Sequence, residues 1–163
     1  MRHKYKWVIL ISSSILIFDQ LTKYLVEQEI RLYGIITVIP GFFNLTHVRN
    51  KGAAFSLLST TSESFRSVFF LTVTIIALTV IILLIKKTHE RILIIAFSFI
   101  IGGALGNAVD RVRHGEVVDF IQWYYQSYYW PAFNVADSAI TIAVVLLAVD
   151  VLFRKQGTTI KSQ

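Results

Sequence analysis

The chain has 163 residues, of which 55% are apolar and 16% are charged, an excess of apolar residues that favours a single membrane domain over a soluble one. It contains no cysteine, which excludes disulfides, thiol catalysis and iron–sulfur clusters. The net charge of +6 is compatible with nucleic acid, but the basic residues flank apolar runs, which favours anionic lipid headgroups and no nucleic-acid partner.

Four segments are predicted to cross the membrane. Residues 68–85 and 92–109 each lack a formal charge over 18 positions, close to the roughly 20 that span the hydrocarbon core. The first and last spans are weaker because each includes acidic residues. The predicted spans cover about 7–26, 67–85, 92–110 and 135–153, with longer loops at about 27–66 and 111–134.

The first apolar run has a second interpretation as a cleaved signal peptide, because basic residues precede it. No small-residue cleavage site follows, since Phe18, Asp19 and Gln20 form a poor one. We therefore expect the run to be retained as the first span.

The distribution of Lys and Arg predicts the orientation. Nine basic residues lie in short segments on one side of the predicted spans: Arg2, Lys4, Lys6, Lys86, Lys87, Arg91, Arg154, Lys155 and Lys161. Basic residues in short flanks mark the cytoplasmic side. We expect a multi-pass membrane protein with both termini in the cytoplasm.

The two longer loops contain strand patterns. Residues 35–39 and 42–49 are rich in β-branched and aromatic residues and flank a Pro40-Gly41 turn, which predicts a β-hairpin. Residues 117–123 predict another strand, and the aromatic stretch after it suits the headgroup level. The predicted fold class is an all-α polytopic membrane protein of one domain, residues 1–163: a four-transmembrane-helix bundle with a small extracytoplasmic β-sheet and a short extracytoplasmic loop or helix.

This topology brings most of the polar residues to one depth, near the outer membrane surface, where costly polar groups mark functional sites. The residues concerned are Asp19, Lys23, Asn50, Lys51, Asn107, Asp110, Arg111, Asp119, Asn134 and Asp137.

Several of these residues also have purely structural interpretations. Asp19 and Lys23 are spaced as an i,i+4 ion pair within one helix. Gly102 and Gly106, with Gly103 between them, form a small-residue pattern that packs helices closely. Asn134 is a good helix N-cap, and Asp119 is a possible edge-strand charge that blocks pairing.

If Asp119 and Asp137 meet, they can share one proton, so that one acts as a base toward water and the other as an acid toward the scissile amide. No nucleophile–histidine arrangement, metal-ligand spacing or phosphate loop competes with this chemistry, and the four histidines are scattered. A carboxylate pair is therefore the predicted chemistry, with no metal.

Five motifs together resemble the lipoprotein signal peptidase (signal peptidase II) family. They are DQLTK at 19–23, NKGAAF at 50–55, GGALGNAVDR at 102–111, VVDF at 117–120 and FNVADS at 133–138. The resemblance covers essentially the whole chain.

The resemblance implies an aspartyl endopeptidase without metal or cofactor. Its substrate would be a diacylglyceryl-prolipoprotein, cut before the modified cysteine, and its outer sheet would form a cradle beside membrane phospholipid. Asp119 and Asp137 match the catalytic pair. The positions that match the substrate pocket are Asp19, Lys23, Asn50, Gly52, Asn107, Asp110, Arg111 and Asn134, with Asp110 bracing Arg111. We expect a monomer.

Three other functions remain alternatives. A small transporter or channel subunit would use Asp19, Asp110 and Asp137 as an ion path, but such a path needs polar groups at several depths. An assembly subunit would bind precursors without cutting them. A different intramembrane aspartyl protease would place both aspartates in helices, whereas Asp119 is predicted to lie outside the spans.

Overall fold

The computed structural model describes residues 2–52 and 62–159, which form four long helices and four strands. The elements in chain order are α1 (Arg2–Glu29), β1 (Ile35–Ile39), β2 (Phe43–Asn50), α2 (Glu63–Lys87), α3 (Arg91–His114), β3 (Val117–Tyr125), β4 (Tyr128–Tyr129) and α4 (Val135–Thr159). This architecture confirms the predicted fold class.

All four helices are long and apolar enough to cross a membrane. Large apolar side chains such as Ile9, Ile75 and Leu152 stand exposed on their outer surfaces, as lipid-facing side chains do. Each predicted span coincides with one of these helices, and each helix is a few residues longer than the predicted span. The helices continue because a helix satisfies its own backbone hydrogen bonds beyond the hydrocarbon core as well as within it.

Helix α3 lies at the centre of the bundle and contacts α1, α2 and α4. It runs alongside α1 in the same direction: the hydroxyl of Ser12 donates to the carbonyl of Ser98 at 3.0 Å, and Gln20 donates to the carbonyl of Gly106 at 3.1 Å. Because α1 contributes buried side chains along this interface, it is part of the bundle, which does not fit a removable signal peptide.

Glycines allow α3 to approach both neighbouring helices. A Cβ at Gly102 would lie 2.9 Å from the carbonyl oxygen of Ser12 in α1, and one at Gly103 would lie 2.5 Å from that of Ala136 in α4. Both distances are too short for a side chain, so the predicted role of these glycines in close packing is confirmed.

The strands form one antiparallel sheet in the order β1-β2-β3-β4 at one end of the bundle, which we call the sheet end. A core of Val26, Ile30, Val118 and Phe120 packs the sheet against α1. The predicted hairpin and third strand are confirmed. Strand β4 was not predicted, because two tyrosines in an aromatic stretch carry no strand pattern of their own.

A short extracytoplasmic loop or helix was also predicted, without a position in the chain. Residues 53–61, between β2 and α2, lie outside the described residues, so this part stays a prediction. After them, α2 begins at Glu63, where the hydroxyl of Ser62 accepts a hydrogen bond from the backbone N–H of Phe65 at 3.3 Å.

Candidate active site

Asp137 lies in the first turn of α4, where Asn134 caps the helix. The side-chain oxygen of Asn134 accepts a hydrogen bond from the backbone N–H of Asp137 at 2.9 Å, and the Asp137 carboxylate accepts one from the backbone N–H of Asn134 at 3.4 Å. This reciprocal arrangement is a capping box with Asp at its third helical position. The predicted N-cap is confirmed, and it holds the half-buried Asp137 carboxylate in place.

Asp119 lies inside the sheet. It pairs with Val48 of β2, and on the other side of β3 the backbone N–H groups of Phe120 and Ile121 donate to the carbonyl of Phe133. Asp119 is only 1% exposed. The alternative that Asp119 is a charge on an open sheet edge is therefore wrong, because the residue is buried and its strand contacts β2 on one side and Phe133 on the other from Phe120 onward.

Amide side chains link the two carboxylates. The Asn134 amide nitrogen donates to Asp119 at 2.7 Å and to the side-chain oxygen of Asn107 at 3.2 Å. The Asn107 amide nitrogen in turn donates to Asp137 at 2.8 Å. Asn50 donates to the other oxygen of Asp119 at 2.8 Å. We call Asp119, Asp137 and these three asparagines the amide network.

The environment of Asp119 raises its pKa to about 7. Burial is the largest cause, because it disfavours the charged form, and the nearby charge of Asp137 adds to it. Hydrogen bonds from Asn50 and Asn134 and the charge of Lys23 act in the opposite direction. A carboxyl group in this position can hold a proton near neutral pH.

A second cluster of buried charges lies beside the amide network. The Lys23 ammonium is 2.8 Å from a carboxylate oxygen of Asp19 and 2.8 Å from one of Asp110, and it donates to Asn107 at 3.1 Å. Gln20 donates to Asp110 at 2.9 Å. We call Asp19, Gln20, Lys23 and Asp110 the ion cluster. The predicted pairing of Asp19 with Lys23 is confirmed but incomplete, because Asp110 shares the cation.

The ion cluster also binds the backbone next to both candidate catalytic residues. Asp19 accepts a hydrogen bond at 2.8 Å from the backbone N–H of Ala136, the residue before Asp137. Asp110 accepts one at 3.1 Å from the backbone N–H of Val118, the residue before Asp119. The cluster therefore fixes the positions of the two segments that carry the amide network.

Asn50 and Gly52 lie at the rim of the site. The backbone N–H of Gly52 donates to the side-chain oxygen of Asn50 at 2.8 Å, while the Asn50 amide reaches Asp119. Gly52 has a φ of 79°, in the left-handed region that favours glycine. A glycine is thus required for the turn that directs Asn50 toward Asp119.

Arg111 is half-buried at the end of α3, with its guanidinium carbon 4.7 Å from the centroid of the Phe70 ring. The charges of Asp137, Asp110 and Asp119 all attract it. Asp110 therefore acts on Arg111 through its charge. The hydrogen bonds and the ion pair of its carboxylate are with Lys23, Gln20 and the backbone N–H of Val118.

Two contributors were given no role from the sequence. Gln20 follows Asp19 directly in a motif, but nothing in its spacing indicates the contact with Asp110 across to α3. The Phe70 ring lies in an uninterrupted apolar run, so its position beside Arg111 had no sequence signal.

The fold and the site together define a class: a multi-pass membrane protein with a linked pair of carboxylates at one end of a four-helix bundle. A family model described as signal peptidase (SPase) II matches residues 11–153. The chain belongs to the signal peptidase II family, whose members are peptidases.

Curated relatives and solved structures agree with this. A lipoprotein signal peptidase of Geobacter metallireducens is 44% identical over 154 residues, covering 93% of this chain and 94% of the relative. One of Geobacter sulfurreducens is 48% identical over 139 residues, covering 84% and 86%. A bacterial membrane enzyme structure solved by the in meso method at 2.3 Å resolution matches with a TM-score of 0.83 and 38% identity, covering 93% of this chain and 91% of that one.

Proposed function

We propose that this protein is an intramembrane aspartyl endopeptidase that removes signal peptides from bacterial prolipoproteins, cutting on the N-terminal side of the diacylglyceryl-modified cysteine. The observation that carries the mechanism is the amide network, in which Asn134 and Asn107 join Asp119 to Asp137. The names of the relatives support the substrate class.

In this mechanism Asp119 holds a proton and Asp137 is ionised. Burial favours the neutral form of Asp119, as its raised pKa indicates. Asp137 sits in the first turn of α4, where the helix dipole stabilises a negative charge, and it accepts hydrogen bonds from Asn107 and the backbone N–H of Asn134.

The reaction then follows general acid–base catalysis. Asp137 accepts a proton from water as the water oxygen bonds the scissile carbonyl carbon, and Asp119 gives its proton to the carbonyl oxygen. As the carbon–nitrogen bond breaks, Asp137 passes its proton to the leaving nitrogen and Asp119 recovers one from the hydroxyl. One water is consumed, and both carboxyl groups return to their starting state without a metal or cofactor.

The other predicted pocket residues divide into three groups in this proposal. Asn50, Gly52 and Arg111 lie at the rim and line the substrate pocket, and Asn107 and Asn134 orient the carboxylates. Asp19, Lys23 and Asp110 are buried and bonded to one another, so they position the site rather than touch substrate. All residues of the proposed site belong to one chain, so the mechanism requires no second copy.

We propose that the sheet end faces outward, with the site near the outer leaflet and both termini in the cytoplasm. This orientation is supported by the basic residues that flank the helices at the opposite end, because such residues mark the cytoplasmic side. Because the chain has no cysteine, a Ser127→Cys variant carries a single thiol, in the exposed β3–β4 turn. A membrane-impermeant thiol reagent should label it in intact spheroplasts, and a Lys87→Cys variant only after lysis. The reverse pattern would contradict this orientation.

An ion-conducting role is less well supported. Nearly all buried polar residues of the described chain lie at the sheet end, and Ser12 and Ser98 are the two at mid-bundle depth. Their hydroxyls bond backbone carbonyls of α3. An ion path through the membrane would need buried polar side chains at every depth. In the described residues, the half of the bundle away from the sheet end does not provide them.

The decisive test is cleavage of a diacylglyceryl precursor by purified variants. Asp119→Asn and Asp137→Asn should each lose at least about a thousandfold in kcat, as expected when one member of a paired acid–base system is removed. Asp150→Asn makes the same change on the same helix, roughly 20 Å away by helical rise, and should retain full activity. Full cleavage by either site variant would refute the mechanism, and equal cleavage of an unlipidated precursor would refute the substrate.

A further inference from the structure

A groove lies at the end of the bundle opposite the sheet, between the first turns of α1 and α3. Its volume is about 590 Å³. It is lined by His3, Lys4, Trp7, Ile11, His89, Arg91, Ile94 and Ile95. The α1 residues recur at one-turn spacing, as do those of α3, so each helix contributes one face to the groove.

The lining changes character along the groove. The residues at the helix starts are His3, Lys4, His89 and Arg91, and those one to two turns deeper are Trp7, Ile11, Ile94 and Ile95. The basic mouth thus lies where the spans begin, and the apolar floor lies inside the predicted hydrocarbon region. The first turn of α3 contains no acidic residue, although Glu90 precedes it as the N-cap.

Lys4 lies at one side of the mouth and is held in place by hydrogen bonds. Its ammonium donates to the carbonyl oxygens of Ile85, Lys86 and Thr88 at 2.8, 3.1 and 3.0 Å. These carbonyls end α2, so Lys4 ties the α2–α3 connection to α1. Arg91 and His89 are exposed beside it and are available to a ligand.

We propose that this groove binds one anionic phospholipid, with its phosphate at Arg91 and His89 and an acyl chain along Trp7 and Ile95. A basic mouth above an apolar floor at a membrane boundary is complementary to a lipid that carries a negative headgroup, and basic pockets between membrane helices recognise such lipids. A free phosphate would satisfy the mouth alone and leave the apolar floor unfilled.

The groove is separate from the active site. Arg91 and Asn107 lie on the same helix, 16 residues apart in sequence, which places them roughly 24 Å apart by helical rise. The lipid proposal therefore does not depend on the proposed peptidase mechanism, and either can fail alone.

Trp7 provides a direct probe of occupancy. The chain has three tryptophans, and the other two, Trp123 and Trp130, lie at the sheet end. Replacing both with Phe leaves Trp7 as the only indole. This variant is reconstituted in phosphatidylcholine vesicles containing an equal mole fraction of either dibrominated phosphatidylglycerol or dibrominated phosphatidylcholine, and the quenching of Trp7 fluorescence is compared.

The proposal predicts stronger quenching by the anionic brominated lipid, with a preference that Arg91→Gln reduces about fivefold. Lys6→Gln removes a matched exposed charge from the same end of α1 outside the groove, and it should change the preference little. Unchanged quenching by brominated phosphatidylcholine shows that each variant is folded.

Three results would overturn the proposal. Equal quenching by the two brominated lipids would show that the groove does not select the headgroup. An equal loss with Lys6→Gln and Arg91→Gln would assign the preference to the general positive charge of this membrane face. A soluble glycerophosphate that abolishes the preference would identify a headgroup site without the acyl chain.

Discussion

The sheet end of the bundle contains two pairs of buried or half-buried aspartates with opposite surroundings. In the ion cluster, Lys23 lies 2.8 Å from both Asp19 and Asp110 and offsets part of their charge. In the amide network, Asp119 and Asp137 are bonded by neutral asparagine side chains. The residue type is the same, and the donors around it differ.

This difference in surroundings corresponds to a difference in role: the ion cluster is structural, and the amide network is the proposed catalytic site. The ion-cluster carboxylates are engaged by the Lys23 cation and by backbone N–H groups, so their contacts serve to hold the site together. A carboxyl group surrounded by neutral amides beside a second carboxylate can gain or lose one near neutral pH, as the raised pKa of Asp119 indicates. The first pair holds the backbone at Ala136 and Val118, and the second pair is left to react.

The largest expected effect comes from removing the cation of the ion cluster. Lys23→Met leaves two carboxylates buried without a counter-charge, which should lower the free energy of unfolding by about 3–5 kcal/mol. The measurement is the midpoint of thermal unfolding in detergent, with Lys6→Met as the control at an exposed position of the same helix.

A rescue variant sharpens this test. Changing Asp19 and Asp110 to Asn together with Lys23→Met removes all three charges and should recover part of the lost stability. If Lys23→Met were as stable as Lys6→Met, the ion cluster would not be the structural element we describe.

The pH dependence gives the next largest effect. Since the proposed mechanism requires a proton on Asp119, kcat should fall as pH rises through about 7, by roughly tenfold per unit. Burial raises the folded-state pKa of this acid above its ordinary 3.8, so its contribution to stability is present at low pH and is lost as pH rises toward 7.

Asp119→Asn cannot ionise at this position and provides the control for stability. Its free energy of unfolding should depend less on pH between 4 and 8 than that of the unchanged protein. The difference should be on the order of 2–4 kcal/mol across this range. A wild-type activity that rises steadily above pH 7 would contradict the assignment of the proton to Asp119.

Much of the fold was predictable because membrane helices and hairpins have local signals. Apolar runs gave the four spans, and Pro40-Gly41 between two β-rich segments gave the hairpin. The common depth of the polar residues followed from topology alone. The capping role of Asn134 was also predictable, since it depends on residues within one turn.

Contacts between elements were not predictable in the same way. The i,i+4 spacing of Asp19 and Lys23 indicates their pairing. The second ion pair, between Lys23 and Asp110, depends on the register of α1 against α3, which the sequence does not indicate. The hydrogen bonds from the backbone N–H groups of Ala136 and Val118 leave no signal in the sequence, because their donors are main-chain groups and not side chains. Asp119 was ambiguous from the sequence because strand pairing, not its apolar neighbours, determines whether it is buried.

Asn134 has two roles within the amide network, since its oxygen caps α4 and its nitrogen bonds Asp119. Asn134→Ser keeps an oxygen that caps the helix but removes the amide nitrogen. Because the hydrogen bond from Asn134 lowers the pKa of Asp119, its loss should raise that pKa further and move the alkaline limb of the pH–kcat profile upward by up to about one unit, equivalent to about 1.4 kcal/mol. The unfolding midpoint should change little. Full activity with no shift of the limb would mean that Asn134 acts only as a cap, and the amide network would then not tune its aspartates.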